Sequence, residues 1–360
     1  MELYNTTDLW SKLKSATKPI LLYGMGNGAD KILSVLESTG VRPSGFFASD
    51  GFVRGHKFHG ETVLSYSDAC VKFGDFIVLI AFGSSLGDVM DNMKRIASER
   101  ETYAPDVPVA GNDIFNAGFY LSHKDDIAAA RELFADEYSR KVYDEMIQYK
   151  LDGMISHFYI DTPKSDALTD ILGGGYTAYV DLGAYNGDTV SEAVRYFPKV
   201  KKITAVEPSP RIFKKLAQNA ICDGIDVDLY NVAVSDVTTD GVFIDGAGRN
   251  SQIMGESSIQ AHRGHTEEVK ICAVDDICNY KNERLLIKLD VEGSERAAIE
   301  GARRLISDNE CDLIVSAYHR SEDLFALPQM IKRLLPNHKL YLRKHPYIPA
   351  WDINIYVTSK

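Results

Sequence analysis

The strongest constraint on the fold is the stretch 179–189, in which an apolar run ends at Asp181 and two glycines follow. Gly183 and Gly187 would let backbone pass close to a ligand at a point where a Cβ would clash. Asp181 or Asp188 could accept hydrogen bonds from the ligand or cap the next helix. The residues after the loop have helical apolar spacing, at Val190, Ala193, Val194 and Phe197. This order of strand, glycine loop and helix predicts a ligand site in an α/β fold.

The spacing of the glycines narrows the class of ligand. No Gly-Lys-Ser/Thr closes the loop, so it does not fit a P-loop. It also lacks the Gly-x-Gly-x-x-Gly spacing of dinucleotide sites. The pattern Asp-x-Gly-x-x-x-Gly instead resembles the first motif of Rossmann-like S-adenosylmethionine methyltransferases. That resemblance implies cofactor contacts by Asp181, Gly183, Ala184, Tyr185, Asn186 and Gly187.

From residue 176 onward, apolar strands and amphipathic helices alternate, which predicts a mostly parallel sheet. The strands are expected at 203–206, 227–230, 269–273, 285–289 and 312–317, with an antiparallel hairpin of 340–343 and 353–358 at a sheet edge. A further hairpin is expected at 242–254. Ligands of such sheets bind outside the carboxyl ends of the strands. Asp181, Glu207, Asp290 and His319 all fall at such ends.

Glu207 follows the second strand, about 20 residues past the glycine loop, where an acid can bind both ribose hydroxyls of an adenosine. With Pro208 and Ser209 it matches a second methyltransferase motif. Small apolar residues near Ala233, beyond the third strand, could sandwich an adenine. An unrelated surface position for Glu207 is the alternative interpretation.

The run 288–295, Lys-Leu-Asp-Val-Glu-Gly-Ser-Glu, is the most specific in the chain. Three carboxylates within six residues repel one another and require a cation, whether Lys288, a sulfonium or a metal. Asp290, Glu292 and His319 are the candidate catalytic residues. His319 could instead hold Asp290 or Glu292 in place. Glu295 is interpreted as a helix-start acid.

These motifs together resemble the FkbM family of S-adenosylmethionine-dependent methyltransferases over about residues 165–360, including 317–324 and 341–345. The resemblance implies S-adenosyl-L-methionine as cofactor and methyl transfer to a hydroxyl of a sugar, glycan or secondary metabolite. Asp290 would also contact the cofactor. A Mg²⁺ ion could bind acceptor hydroxyls and lower their pKa, and metal dependence is left open. The acceptor, and O- rather than N-methylation, cannot be determined from the sequence.

The N-terminal part, about residues 18–115, is predicted to be a smaller Rossmann-like α/β domain resembling one found in sugar-modifying enzymes. Gly24, Gly26 and Gly28 follow its first strand and Asp50 its second, which suits a nucleotide or nucleotide sugar. Val107 to Ala110 is expected as its last strand. The alternative is that the glycines pack helix on strand and that the domain serves docking or dimerisation.

The predicted division is therefore 1–120 for the accessory domain, 121–164 for a helical linker and 165–360 for the methyltransferase domain. The linker has an apolar stripe that should cover the second domain or a partner subunit, at Ile127, Ala130, Phe134, Tyr138, Val142 and Met146. Tyr347 and Trp351 lie in a loop that could stack on a sugar. A homodimer is a further expectation for the partners.

Composition excludes several classes. The net charge of -11, with no basic block, argues against nucleic acid. No apolar run approaches the roughly 20 residues of a membrane span. Five scattered cysteines, and a start without signal-peptide features, predict a reduced, cytoplasmic protein. His56, His59 and the pair His262 and His265 are interpreted as surface residues.

Two other functions stay open from the sequence. The methyltransferase-like half could be inactive, with the chain serving as a nucleotide-sugar binding or sensing module through residues 24–28. An NAD-dependent oxidoreductase using the same loop is a third interpretation, although nothing after the loop supplies hydride-transfer chemistry.

Overall fold

The computed structural model describes residues 4–53, 55–245, 252–254 and 265–360. Its strands are β1 Ile20–Tyr23, β2 Gly45–Ala48, β3 Lys57–Phe58, β4 Glu61–Thr62, β5 Leu64–Ser65, β6 Ile77–Ile80, β7 Thr102–Tyr103, β8 Ala178–Leu182, β9 Lys202–Val206, β10 Asp226–Tyr230, β11 Ala233–Ser235, β12 Thr239–Asp245, β13 Gln252–Met254, β14 His265–Ala273, β15 Arg284–Leu289, β16 Glu310–Ser316, β17 Lys339–Lys344 and β18 Ile353–Thr358.

The helices alternate with these strands through much of the chain. They are α1 Leu9–Lys14, α2 Asn27–Ser38, α3 Tyr66–Phe73, α4 Gly87–Glu99, α5 Ala117–Arg131, α6 Glu137–Asp152, α7 Lys164–Asp170, α8 Asp188–Tyr196, α9 Pro210–Asn219, α10 Val274–Ile277, α11 Glu295–Gly301, α12 Arg303–Ser307 and α13 Asp323–Leu334. Among the described residues, none of these helices is long and apolar enough to cross a membrane.

The larger sheet has seven strands in the order β10-β9-β8-β15-β16-β18-β17. The pairings from β10 to β16 are parallel, whereas β18 runs antiparallel to both β16 and β17. The prediction of a mostly parallel sheet is confirmed. The tail hairpin was predicted correctly, although only β17 lies at the edge because β18 inserts beside β16.

The stretch 269–273 was placed wrongly by the sequence analysis, which assigned it to the main sheet. It belongs to β14, which joins β11, β12 and β13 in a separate four-stranded sheet. The predicted hairpin within 242–254 exists, because β12 and β13 pair antiparallel, but its turn lies outside the described residues. An apolar run predicts a strand without specifying its partner, and the nonlocal pairing of β14 with β12 decides the sheet.

The smaller N-terminal sheet has five parallel strands in the order β5-β2-β1-β6-β7. The predicted first and second strands, before Gly24 and Asp50, are confirmed as β1 and β2. The predicted strand at Val107 to Ala110 is wrong, since the last strand is β7 and residues 107–110 have no regular structure.

The two sheets share one buried apolar cluster, which includes Leu21 and Val78 of the first sheet and Val180, Ile287 and Leu313 of the second. All five side chains are fully buried. Burial of such residues contributes about 1.5–3 kcal/mol each. The N-terminal sheet is therefore packed into the same core as the larger sheet, and the three-part domain division stays a prediction.

Backbone hydrogen bonds tie the two parts together near the carboxyl ends of the strands. Ser84 and Ile348 exchange N–H···O bonds of 2.8 and 3.0 Å, and the N–H of Ala110 donates to the carbonyl of His319 at 2.9 Å. The hydroxyl of Ser321 donates to the carbonyl of Asp113. These contacts fix N-terminal loops directly beside the ends of β16 and β18.

The segment predicted as a helical linker forms two helices, α5 and α6, separated by an N-cap at Asp136 whose carboxylate accepts from Ser139 N. Asp136 also pairs with Arg343 of β17 at 2.7 Å, so α6 covers the edge of the larger sheet. The predicted packing against the second domain is confirmed. Tyr138 is the exception to the predicted stripe, because it is 39% exposed and the break between the helices shifts the periodicity.

Candidate active site

The carboxyl ends of β8, β9 and β15 surround an open cavity of about 260 Å³. Seven of the predicted site residues line it: Gly183, Tyr185, Glu207, Pro208, Ala233, Asp290 and Glu292. The others lie behind its wall: Asp181, Ala184, Asn186, Gly187, Ser209 and His319. Glu207 and Asp290 thus share one cleft, as the sequence analysis required.

Asp181 is fully buried beneath the cavity floor. Its carboxylate lies 3.3 Å from Lys288 Nζ and accepts a short hydrogen bond from the hydroxyl of Thr189. Asp181 therefore anchors the start of α8 and holds Lys288.

Gly183 sits where β8 enters the loop, with a φ of 87°. A Cβ here would lie 1.9 Å from the carbonyl oxygen of Asp290, so the loops after β8 and β15 touch backbone to backbone. Only glycine permits this approach. Gly187 has a φ of 89° and is packed more loosely, because a Cβ added there would lie 3.3 Å from the Leu216 side chain. The first glycine thus brings the loop to the acidic run.

The remaining loop residues divide between packing and exposure. Ala184 is buried in the core. The carbonyl of Asn186 accepts from Asn219 Nδ2 at 2.7 Å, and its side-chain oxygen accepts from the N–H of Asp188. Tyr185 has a φ of 47° and is 40% exposed beside the cavity. Tyr185 is therefore the side chain of this loop that is open to a ligand.

Glu207 is 6% exposed and lines the cavity. One of its oxygens accepts from the N–H of Ser209 at 2.8 Å. Burial raises the pKa of this carboxyl to about 7, despite the backbone N–H donors of Ser209 and Tyr185. Asn231 fixes the loop by donating to the carbonyls of Glu207 and Pro208, each at 2.9 Å. Glu207 is thus a buried acceptor group with room for hydroxyl donors.

Lys288 is the cation that the sequence analysis required among the carboxylates. Its Nζ lies 3.3 Å from Asp181 and 3.7 Å from Asp290. Burial opposes its charge, but the two carboxylates outweigh burial and raise the pKa of Lys288 above its usual value. Burial likewise opposes ionisation of Asp290, yet Lys288 and His319 lower the pKa of its carboxyl. Asp290 is consequently an ionised carboxylate facing the cavity.

His319 is buried behind Asp290 and Glu292. Its Nδ1 lies 2.8 Å from Glu295 Oε1, which also accepts from the N–H groups of Val291 and Gly293. Burial disfavours its charge, but the carboxylates of Glu295, Glu292 and Asp290 raise the pKa of His319 to about 10. When no other cation lies beside the ring, these carboxylates favour the protonated imidazole, which is a poor general base.

Three cavity-lining residues other than glycine, Tyr185, Glu292 and Asp352, have φ values of 47°, 52° and 65°. This left-handed conformation is uncommon for side-chain-bearing residues and costs of order 1–3 kcal/mol each. It directs the strand-end loops around the cavity.

Several lining residues were missed by the sequence analysis: Lys164, Glu192, Asp352, Asn354 and Tyr318. Lys164 of α7 pairs with Glu192 of α8 at 2.8 Å, which closes one side of the cavity. Asp352 and Asn354 come from the start of β18, and no motif marks them. The sequence indicated these two residues only indirectly, through the prediction that the tail strands join the sheet.

In the second glycine loop, at residues 24–28, Gly24 and Gly28 pack against other parts of the protein, whereas the Cβ position of Gly26 is open. A Cβ at Gly24 would lie 2.6 Å from the Phe82 ring, and one at Gly28 would lie 2.4 Å from the carbonyl oxygen of Ala81. These contacts fit the interpretation that the glycines pack helix on strand.

The neighbouring loop after β6 is covered by residues 347–351. A Cβ at Gly83 would lie 2.7 Å from Tyr347 and 2.8 Å from Trp351. The aromatic loop that was expected to stack on a sugar therefore packs on the N-terminal sheet.

The other histidine predictions concern the surface. His56 is exposed, and His59 pairs with Asp30 at 2.7 Å with its side chain 56% exposed. His262 and the side chain of His265 lie outside the described residues.

Comparison with known proteins concerns mainly the segment that forms the larger sheet. Residues 181–347 match the family model described as Methyltransferase FkbM domain. This segment is similar to the FkbM methyltransferase domain. The whole chain resembles the crystal structure of methyltransferase FkbM from Methylobacillus flagellatus KT, with a TM-score of 0.67 and 18% identity, over 94% of this chain and 90% of that one. That likeness shows the fold, and it extends beyond the FkbM domain into the N-terminal part.

A second, weaker likeness is to the SAH-bound methyltransferase PaMTH1 of Podospora anserina, with a TM-score of 0.30 and 10% identity, over 76% of this chain and 96% of that one. Structural similarity at that level carries no argument about the FkbM domain. A search of curated protein sequences found no significant match.

Proposed function

We propose that the protein is an S-adenosylmethionine-dependent methyltransferase acting on a hydroxyl oxygen of a sugar, glycan or secondary metabolite. The observation that carries the proposal is the single cavity in which Gly183, Glu207 and Asp290 meet. The FkbM domain match supports methyl transfer. The oxygen acceptor follows from the resemblance and from the acidic lining described above.

The donor would lie along the ends of β8 and β9. Glu207 accepts the ribose hydroxyls, and Pro208 and Ala233 contact the adenine. Glu207 suits this role because it is buried, lines the cavity and has spare acceptor capacity. When bound, S-adenosylmethionine supplies an activated methyl group, so the chain mainly aligns the acceptor and excludes water.

Deprotonation of the acceptor falls to Asp290 or Glu292. Both line the cavity, and Asp290 is held ionised by Lys288 and His319. His319 is buried behind both carboxylates and acts as a positioning residue. The predicted catalytic group of three is thus divided into two candidate bases and one positioning residue.

Isothermal titration calorimetry with S-adenosylhomocysteine tests the donor site. We expect a dissociation constant below the millimolar range and one site per chain. Absence of heat at sub-millimolar ligand would count decisively against the proposal. A screen of hydroxylated acceptors with S-adenosylmethionine, read out as S-adenosylhomocysteine release, then tests the acceptor class.

The runner-up function is a nucleotide-sugar module with an inactive methyltransferase-like half. Its proposed site at residues 24–28 is packed by Phe82 and Ala81, which favours the first proposal. The cytoplasmic location and the homodimer stay predictions.

A further inference from the structure

His319 Nε2 is the unusual atom of the site. The His319 side chain is 1% exposed, and Nε2 has no hydrogen-bond partner. It faces Asp290 Oδ1 at 3.5 Å and Glu292 Oε2 at 3.7 Å. Charge-assisted N–H···O bonds are about 2.7–2.9 Å long. Both separations at Nε2 are longer than that, so neither carboxylate pairs with it directly.

His157 shows what direct pairing looks like in the same chain. Its Nδ1 lies 2.6 Å from Glu145, and its Nε2 lies 3.1 Å from Asp152. Both ring nitrogens of His157 are therefore satisfied by carboxylates. The longer separations around His319 Nε2 leave a gap between three groups that could each supply a ligand atom.

We propose that His319 Nε2, Asp290 and Glu292 form a binding site for a divalent cation such as Mn²⁺ or Mg²⁺. Adjacent ligand atoms about 2.1 Å from an octahedral ion lie about 3.0 Å apart, so each carboxylate would have to approach Nε2 by roughly half an ångström or slightly more. One ligand atom each from Asp290, His319 and the neighbouring Glu295 also lie within 4.8 Å of one another.

Glu295 supplies the support that such a site requires. A metal-binding histidine usually donates its other ring N–H to a carboxylate, which fixes the tautomer and the ring orientation. His319 Nδ1 meets Glu295 Oε1 at 2.8 Å, and two backbone N–H groups hold that same oxygen. The sequence analysis interpreted Glu295 as a helix-start acid, whereas the geometry assigns it to positioning His319.

Lys288, the other positive group near Asp290, leaves room for a cation because it faces the other carboxylate oxygen. Lys288 lies 3.7 Å from Oδ2 of Asp290, whereas His319 faces Oδ1. Because Asp290 and Glu292 line the cavity, a bound cation would have open positions toward it. There it could bind acceptor hydroxyls and lower their pKa. This use of the cation rests on the proposed methyl transfer, whereas cation binding itself does not.

Electron paramagnetic resonance with Mn²⁺ alone tests the site, because bound Mn²⁺ loses the signal of the free ion. We expect one Mn²⁺ per chain, competition by Mg²⁺, and binding at least tenfold weaker in Glu292→Gln and His319→Asn. His157→Gln is the matched control and should bind Mn²⁺ like the wild type. Thermal melting establishes that each variant is folded.

Two results would overturn the inference. One is no Mn²⁺ binding to the wild type at millimolar concentration; the other is binding that is unchanged in Glu292→Gln, the variant least disturbing to the core. Calorimetry with S-adenosylhomocysteine on the same samples separates the two proposals. Retained donor binding without Mn²⁺ binding removes the cation site and leaves the methyltransferase proposal standing.

Discussion

The five-stranded and seven-stranded sheets each have a glycine loop after a central strand and an acid after the next strand, and the cavity of the candidate active site lies at the loop of the seven-stranded sheet. At residues 24–28 the glycines meet Phe82 and Ala81, and the neighbouring loop is covered by Tyr347 and Trp351. At Gly183 the same local pattern meets the backbone of Asp290 and the side chain of Val291, and a cavity of about 260 Å³ lies open beside it. The motif provides a turn, and the surroundings decide whether a ligand can use it.

Asp50 and Glu207, the acids that follow the second strand of each sheet, show a similar contrast. Asp50 is exposed, and its carboxylate accepts from both the N–H and the hydroxyl of Ser67, at 3.1 and 2.8 Å. Those bonds lower the pKa of Asp50. Glu207 is buried beside the cavity, and its pKa is raised to about 7. Both carboxylates accept hydrogen bonds within the protein, but Glu207 also lines the cavity and is therefore the one placed to meet a ribose there.

The largest expected effect is the difference in stability and ligand binding between alanine substitutions in the two glycine loops. Gly183→Ala places a Cβ against the Asp290 carbonyl in a left-handed conformation. We expect a loss of about 3–5 kcal/mol in the free energy of unfolding and no measurable S-adenosylhomocysteine binding. Gly26→Ala is the control, because no atom lies within 4 Å of its Cβ position. It should cost about 1–2 kcal/mol and leave binding intact. Urea denaturation and calorimetry measure both quantities, and equal effects would contradict the comparison.

The next effect concerns the two acids. Glu207→Gln removes a charged acceptor and should weaken S-adenosylhomocysteine binding by about 10- to 100-fold, as expected for hydrogen bonds to a charged group. Asp50→Asn should leave the affinity unchanged. Calorimetry on the two variants decides the matter, and weaker binding in Asp50→Asn would instead assign the ligand to the N-terminal sheet.

The pH dependence of binding should be smaller and should require Glu207. Ribose hydroxyls donate to the ionised carboxylate, so binding should tighten as pH rises through the pKa of about 7. Between pH 6 and pH 8 the affinity should increase by about tenfold at most, and Glu207→Gln should flatten this dependence.

Stability of the ligand-free protein should change in the opposite direction. A carboxyl whose pKa is raised on folding binds more protons in the folded state, so its contribution to stability falls as pH rises from its ordinary value toward about 7. Glu207→Gln should therefore raise the melting temperature more at pH 8 than at pH 5. A larger gain at pH 5 would show that burial of Glu207 is not the cause of its shift.

The smallest effect is expected from nucleotide sugars. Because the loop at residues 24–28 is packed, uridine diphosphate glucose should leave the melting temperature unchanged while S-adenosylhomocysteine raises it. The reverse result would favour the nucleotide-sugar module.

The parts of the fold and site that could be predicted from the sequence are those that depend on local pattern. The strand ends at Asp181, Glu207, Asp290 and His319 were predicted because an apolar run and the acid after it lie within a few residues of each other. Partners that depend on distant pairing were not predicted. Asp352 lines the cavity only because β18 inserts beside β16, and β14 joined another sheet for a similar reason.

Charge relations were predicted in part. The need for a cation beside the acidic run was clear from the sequence, and Lys288 meets it. The role of His319 was left open between base and support, since sequence spacing cannot show how many carboxylates surround a ring. Contact with Glu295 and the two facing carboxylates favours a supporting role for His319.

The reciprocal pairing of Ser84 with Ile348 has a consequence for how this chain could be divided. Excising the N-terminal sheet would strip Tyr347 and Trp351 of their cover and leave two peptide groups without partners. A fragment beginning near residue 165 would thus expose these aromatic side chains to water, which favours aggregation. We therefore expect the larger sheet to lose stability when the N-terminal sheet is removed.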